Sequence, residues 1–301
     1  MQSVLTNFAL PAALGIIMFG LGLNLTLGDF KRVGKHPKAA IIALVCQLVI
    51  LPAVCFGLVL LFQLPPLLAV GMMLLAASPG GSTANLFSHL FRGDVALNVS
   101  LTAINSVISV FTLPLVVNLS IAFFVPGGGQ VGFQFAKALE VFAIVLIPVA
   151  LGMLVRAWQP GFARRMDRPV RIASIVILVV VVAGALIANL DLFLANVGSL
   201  AGIVIAFCVL SLTIGFAIPR VLGVERDQAI ASAFEIGLHN ATLAIVIAQS
   251  ALGSVEMSLP GAIYGVFMFF LATAFGFIIR GRGPRPTPTE DASEPTSAPV
   301  A

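Results

Sequence analysis

Within six residues the chain carries a carboxylate, an imidazole and an amide: Glu235, His239 and Asn240, in the stretch Phe234-Glu235-Ile236-Gly237-Leu238-His239-Asn240-Ala241-Thr242. The surrounding run from Gln228 to Leu252 is otherwise apolar, so Glu235 is expected at a depth where an ionised side chain costs several kcal/mol or more. All 16 Lys and Arg residues fall at the ends of apolar runs or in the connections between them, and none is an evident partner for this carboxylate. Its counter-charge is therefore expected to be a cation taken from solution, sodium or a proton, or a protonated His239 four residues on. Either arrangement is the chemistry of a transport site. The competing possibility is a Glu that stays protonated and hydrogen-bonds a neighbouring helix.

The elements that position these groups are expected to be membrane helices. At 59% hydrophobic and 9% charged, the chain lies far outside the range of soluble domains, which predicts an all-α integral membrane protein in contact with lipid. Its net charge of +4 is spread over short connections without interleaved aromatics, so no nucleic-acid surface is expected. Cys46, Cys55 and Cys208 lie in apolar runs and are expected to pack as small hydrophobes. At roughly 20 residues per span, nine runs qualify: residues 4–27, 37–62, 66–91, 95–124, 133–158, 169–195, 197–222, 228–252 and 258–279. The first lacks a basic leader and a cleavage site and is read as a membrane helix, not a signal peptide. Fifteen basic residues fall in connections one, three, five and seven and the C-terminal tail, against Lys137 alone on the other side. The positive-inside rule then predicts a multi-pass plasma-membrane protein, N-terminus outside and C-terminus cytoplasmic. Residues 1–280 form the transmembrane domain in this reading, and residues 281–301, rich in Pro, Thr, Ser, Ala and acids, a disordered tail.

Polar residues mark the interior. Gln47 and Pro52 sit in mid-span of the second run, where an amide needs a partner that lipid does not supply. The third run is interrupted by Ala77-Ser78-Pro79-Gly80-Gly81-Ser82-Thr83-Ala84-Asn85, where proline removes a donor and two glycines relax the backbone. Past that break, Ser82, Thr83 and Asn85 begin a half-helix whose free N–H groups and positive dipole end attract anions. Asn98, Thr102, Asn105 or Ser106, and Ser109 line one face of the fourth run, for which helix–helix hydrogen bonding is the simpler alternative. Lys137 and Glu140 are spaced to pair with each other. A second interruption falls at Ile236 to Asn240. Two broken spans at corresponding positions of two halves predict an inverted repeat with a substrate and ion site at the midplane.

These motifs together resemble the bile acid:sodium symporter family, in a nine-helix bacterial form. The likeness rests on the Gly22 to Phe30 helix exit, Ser78-Pro79-Gly80-Gly81 with Asn85, Arg92-Gly93-Asp94, and Glu235-Ile236-Gly237-Leu238-His239-Asn240. The resemblance implies a core domain of six helices (37–62, 66–91, 95–124, 197–222, 228–252, 258–279), whose broken members cross. It also implies a panel of three helices (4–27, 133–158, 169–195). It further implies two sodium sites. Asn85, Asn98, Thr102 and Glu235 would form the first. Glu235, the carbonyls of Ile236 and Leu238, and the side chains of His239 and Gln47 would form the second. The oxygen donors among these suit a hard cation. The family usually has Gln at the position of His239, Ser at that of Asn98 and Ser at that of Ala84. One sodium site is therefore expected intact, and the other weakened or replaced by proton coupling through His239, the side chain type that titrates nearest neutral pH.

The leading expectation is sodium-coupled symport of an organic anion, bile-acid-like or a small carboxylate, by alternating access, with no organic cofactor. Ser82, Thr83 and Asn240 at the half-helix ends are the candidate substrate contacts. A proton-coupled or exporting carrier is the runner-up. An intramembrane serine hydrolase using Ser78 or Ser82 with His239 is a remote alternative, and a structural or sensory membrane protein with a vestigial site a third.

Overall fold

The computed structural model describes residues 10–24, 26, 28, 34, 36–125, 135–188 and 190–280. The start of the first expected span, residues 133 and 134, most of the exit at residues 25–30, the tail at 281–301 and the side chains of Lys137 and Glu140 lie outside the described residues.

Every regular element among the described residues is helical. Helix α1 covers Leu10–Asn24. Helix α2 covers Pro37–Leu61 and widens to a π turn over Cys46–Ile50. Then come α3 (Pro66–Ala77), α4 (Ser82–Leu90), α5 (Val95–Phe124), α6 (Phe135–Trp158), α7 (Pro160–Ala188), α8 (Leu190–Val221) and α9 (Arg226–Gly237). Helix α10 covers Ala241–Ala251, with a π turn over Ile247–Ala251. After a 3-10 turn at Glu256–Ser258, α11 covers Leu259–Ile279. Among the described residues, α2, the Leu200–Val221 part of α8 and the stretch Glu256–Ile279 are each long and apolar enough to cross a membrane. Helix α5 joins them if its two segments, bent by 54° between Ser109 and Phe111, count as one. The bend lies one turn before Pro114, which offers no N–H to the preceding turn.

The two expected interruptions are present. Helix α3 has 12 residues and so does α9. At 1.5 Å per residue each is ~18 Å long, little more than half of a hydrocarbon layer of about 30 Å. Helix α3 stops because Ser78 precedes Pro79, which disfavours the helical region; Ser78 is extended, with ψ 141°. Both broken helices are entered through turns of the same design. Gln63 (φ 51°) and Gly223 (φ 78°) take left-handed backbone. Gln63 N–H donates to Leu60 O and Leu64 N–H to Val59 O; Gly223 N–H donates to Arg220 O and Val224 N–H to Pro219 O. These paired bonds close the preceding helix end with a left-handed residue.

Two boundaries differ from expectation. The sixth and seventh spans were expected to meet near residue 196, and the sixth to begin at Pro169. Helix α7 instead starts at Pro160 and runs through Pro169, and α8 starts at Leu190. Pro160 suits a first helical position. Asp191 places a carboxylate in the first turn of α8, where the helix dipole favours it.

Helix α1 packs on α6 and α7. Gly22 faces the backbone of Val149, and Gly152 faces that of Phe19, so the two helices meet backbone to backbone and a Cβ at either glycine would collide. Arg156 Nη1 donates to Leu23 O at 2.9 Å, satisfying a carbonyl in the last turn of α1. The second group is built around α9, which packs on α8, α4 and α5. Gly215 abuts Ala233, Ser232 and Ile236, and Gly237 abuts Leu212, which seats α9 closely on α8. Phe87, Phe91 and Phe234 fill the space between α4 and α9. Asp94 joins the two halves: its Oδ1 accepts from Leu97 N–H at 2.9 Å as the N-cap of α5, and its own N–H donates to Asp227 O at 2.9 Å. Asp94→Ala is expected to lose about 1 kcal/mol. In detergent the melting midpoint should then fall by roughly 2–4 °C, and an unchanged midpoint would count against the cap.

Candidate functional site

The two unwound segments lie against each other. Gly80 and His239 form an isolated antiparallel bridge. Gly81 N–H donates to Leu238 O and Asn240 N–H donates to Pro79 O, both at 2.9 Å. Backbone groups that the breaks remove from the helical ladders are thus satisfied across the crossing, as buried amides require. Chain segments some 160 residues apart form one unit.

Glu235 lies in the last turn of α9 and is 2% exposed. Its Oε2 meets Thr102 Oγ1 at 2.5 Å. Thr102 Oγ1 is also 3.0 Å from Asn98 O, so its single proton serves only one of these acceptors at a time. Oε1 lies against the backbone of Gly80 and has no hydrogen-bond partner. Gly80 lies beside the carboxyl group, and Asn105 sits one turn along α5 from the Thr102 that bonds it. The described neighbours of this carboxyl group are therefore polar and uncharged.

Other acceptors around the crossing are also unpaired. Asn98 on α5 is fully buried; its Nδ2 donates to Ala231 O at 2.7 Å, which fixes the amide and leaves Oδ1 without a partner. Asn85 on α4 is half-buried, and its Oδ1 is buried and unpartnered. Gln47, in the π turn of α2, donates Nε2 to Ser78 O at 3.1 Å and leaves Oε1 unpartnered. Pro52 follows that turn and brings no N–H to the ladder, a local reason for the helix to widen where the amide must turn inward. Native proteins rarely leave buried acceptors unsatisfied, so each of these oxygens needs a reason.

His239 is 1% exposed. Its Nδ1 is 3.2 Å from Ser78 O, and because a carbonyl only accepts, Nδ1 carries the proton in this bond. Nε2 has no partner. Phe207 stacks on the ring at 15° and Tyr264 meets it at 65°. The Ser78 carbonyl thus accepts from both Gln47 and His239. Of the other residues expected at a second cation site, Ile236 is fully buried, and the Leu238 carbonyl already accepts from Gly81 N–H.

The candidate substrate contacts sit at the half-helix starts. Ser82 is the first residue of α4, and its side chain lies outside the described residues; Thr83 beside it is half-buried. Asn240 is the N-cap of α10, its Oδ1 accepting from Leu243 N–H at 3.0 Å. The hydrolase alternative finds no support in this geometry. Ser78 Oγ donates to Leu75 O, and among the described residues no serine hydroxyl is bonded to His239. Asn105, part of the polar face read from the sequence without a role of its own, emerges as a neighbour of Glu235. Its spacing three residues past Thr102 places it on the same face of α5, a position it shares with Ser106 and Ser109.

The profile of the Sodium Bile acid symporter family matches residues 11–196. The chain is 29% identical over 254 residues to the uncharacterized sodium-dependent transporter YocS of Bacillus subtilis (strain 168), covering 84% of this chain and 77% of that one. It is 26% identical over 309 residues to the ileal sodium/bile acid cotransporter of Homo sapiens, covering 98% and 88%. With the probable sodium/metabolite cotransporter BASS2, chloroplastic, of Oryza sativa subsp. japonica it shares 24% identity over 270 residues, covering 90% of this chain but only 63% of that relative. That profile match covers more than half the chain, so this protein belongs to the sodium bile acid symporter family, whose members are sodium-coupled membrane transporters and not enzymes.

Proposed function

We propose that the protein is a secondary active transporter that carries an organic anion, bile-acid-like or a small carboxylate, together with sodium by alternating access. The observation that carries this reading is the set of buried, unpartnered oxygens on four helices: Asn85 Oδ1, Asn98 Oδ1, Gln47 Oε1 and Glu235 Oε1. A hard cation satisfies such oxygens and supplies the charge that the carboxylate lacks. Asn85, Asn98, Thr102 and Glu235 hold a first sodium. Its arrival at Glu235 lowers the cost of the buried charge and stabilises the geometry of the crossing in which the anion binds. That is coupling in the linkage sense, and the anion in turn tightens sodium.

The matching turns before α3 and α9, and the reciprocal backbone bonds between the breaks, support an inverted repeat. In this scheme the α9-centred group is the moving core and α1, α6 and α7 the panel. The anion sits between them near Ser82, Thr83 and Asn240. The basic ends of the helices face the cytoplasm. A second reading applies to the second cation site. Gln47 and His239 both donate to the Ser78 carbonyl, and His239 presents a bare Nε2 instead of an oxygen, so a proton on that nitrogen is the alternative occupant.

The test is uptake of labelled organic anions into proteoliposomes under an imposed sodium gradient or an imposed proton gradient. Accumulation driven by sodium is expected. Accumulation driven by protons alone would overturn the sodium assignment. His239→Gln, which restores an amide oxygen, is expected to raise the number of sodium ions moved per anion or to steepen the sodium dependence. The same sodium response as wild type would count against a missing second site.

A further inference from the structure

Asn105 on α5 is 1% exposed, and neither Oδ1 nor Nδ2 of its amide has a hydrogen-bond partner. Among the described residues it is the only side chain with both ends of a polar group orphaned. An amide left wholly unsatisfied is worse for stability than an apolar side chain of the same shape, so its presence calls for a ligand. Its place indicates which one. Asn98, Thr102 and Asn105 occupy successive turns of one face of α5, which sets Asn105 one turn from the bond between Thr102 and Glu235, whose Oε1 is also unpartnered.

Asn98 and Asn105 differ in one respect. The Asn98 amide is pinned by its bond to Ala231 O, so its oxygen has a fixed direction. Nothing pins Asn105. A half-turn of its terminal torsion exchanges a donor for an acceptor at the same place, because the two ends of an amide have nearly the same shape.

We propose that Asn105 is a further ligand of the cation at Glu235 and that it works by turning over. Its NH2 faces the carboxylate when the cation is absent, and its Oδ1 takes part in coordination when the cation is present. The inference rests on the sodium reading given above.

The test uses the purified full-length protein, with sodium chloride as the probe. Asn105→Leu keeps the volume and removes both polar atoms. The expected result is a melting midpoint in sodium-free buffer equal to or above that of wild type, together with sodium affinity, measured by titration calorimetry, weaker by about tenfold. Asn105→Asp keeps an oxygen and is expected to bind sodium within about threefold of wild type or more tightly. Glu235→Gln is measured beside them. If Glu235→Gln loses sodium and Asn105→Leu binds it as wild type does, the role of Asn105 is overturned and the sodium site stands. If Glu235→Gln binds sodium normally, the underlying site assignment fails instead. A midpoint for Asn105→Leu that is lower in sodium-free buffer assigns the residue a structural role and also overturns the proposal.

Discussion

Glu235→Gln is expected to abolish sodium-driven uptake while the protein still folds and inserts. The substitution keeps the shape of the side chain and a hydrogen-bond partner for Thr102 but removes the charge that calls for a cation. Breaking a buried ion pair by removing one partner typically costs about 3–5 kcal/mol, so sodium affinity should fall by a factor of about 100 or more. Folding should be spared. A neutral amide is cheaper to bury than a carboxylate, and the sodium-free melting midpoint is expected to stay level or rise. The decisive measurement is accumulation of a labelled anion in proteoliposomes, with and without a sodium gradient. Full sodium-driven transport by this variant would refute the ligand role of Glu235 and with it the proposed coupling.

Two adjacent glycines should behave in opposite ways. A Cβ at Gly80 would run into Oε1 and the carboxyl carbon of Glu235, and into the carbonyl of the same residue. Two of those three are carboxyl atoms that the site needs in place, and the third is backbone. A Cβ at Gly81 would meet Thr83 Oγ1 at 3.5 Å and Leu238 O at 3.8 Å, which is ordinary contact. Gly80→Ala is therefore expected to displace the carboxyl group and weaken sodium binding by about fivefold to about 150-fold, from about 1–3 kcal/mol of overpacking. Gly81→Ala should keep sodium affinity within about twofold, since ordinary contact needs no repacking. Sodium titration of the two variants side by side checks this. Equal behaviour would mean that the fit of Gly80 against Glu235 does not matter.

The sequence made some of this legible for simple physical reasons. A carboxylate in an apolar run and a Ser-Pro-Gly-Gly interruption are violations of the usual membrane-helix pattern, and violations are visible without coordinates. Asn85, Asn98, Thr102 and Gln47 stood out in the same way. The pairing of the two breaks did not. No local rule links Gly81 to Leu238 or Pro79 to Asn240, because a backbone bond leaves no mark on residue type. Asn105 was visible as one of several polar residues on α5, but helical spacing alone does not say which of them turns toward Glu235 and which toward α5's own carbonyls, as Ser106 and Ser109 do. The start of α7 and its junction with α8 differ from the expected bounds because the apolar run 169–195 set that span, whereas Pro160 and Asp191 mark the helix starts.

The reciprocal bonds between the breaks also bear on how such a chain is made. Ribosomal synthesis delivers residues 79 to 81 to the bilayer long before residues 238 to 240 exist, so for most of that interval the Gly81 amide and the Pro79 carbonyl lack the mates they have in the finished molecule. Until the later half arrives, those two backbone groups need other hydrogen-bond partners. Maturation is therefore a late event, completed only when the second interruption closes on the first.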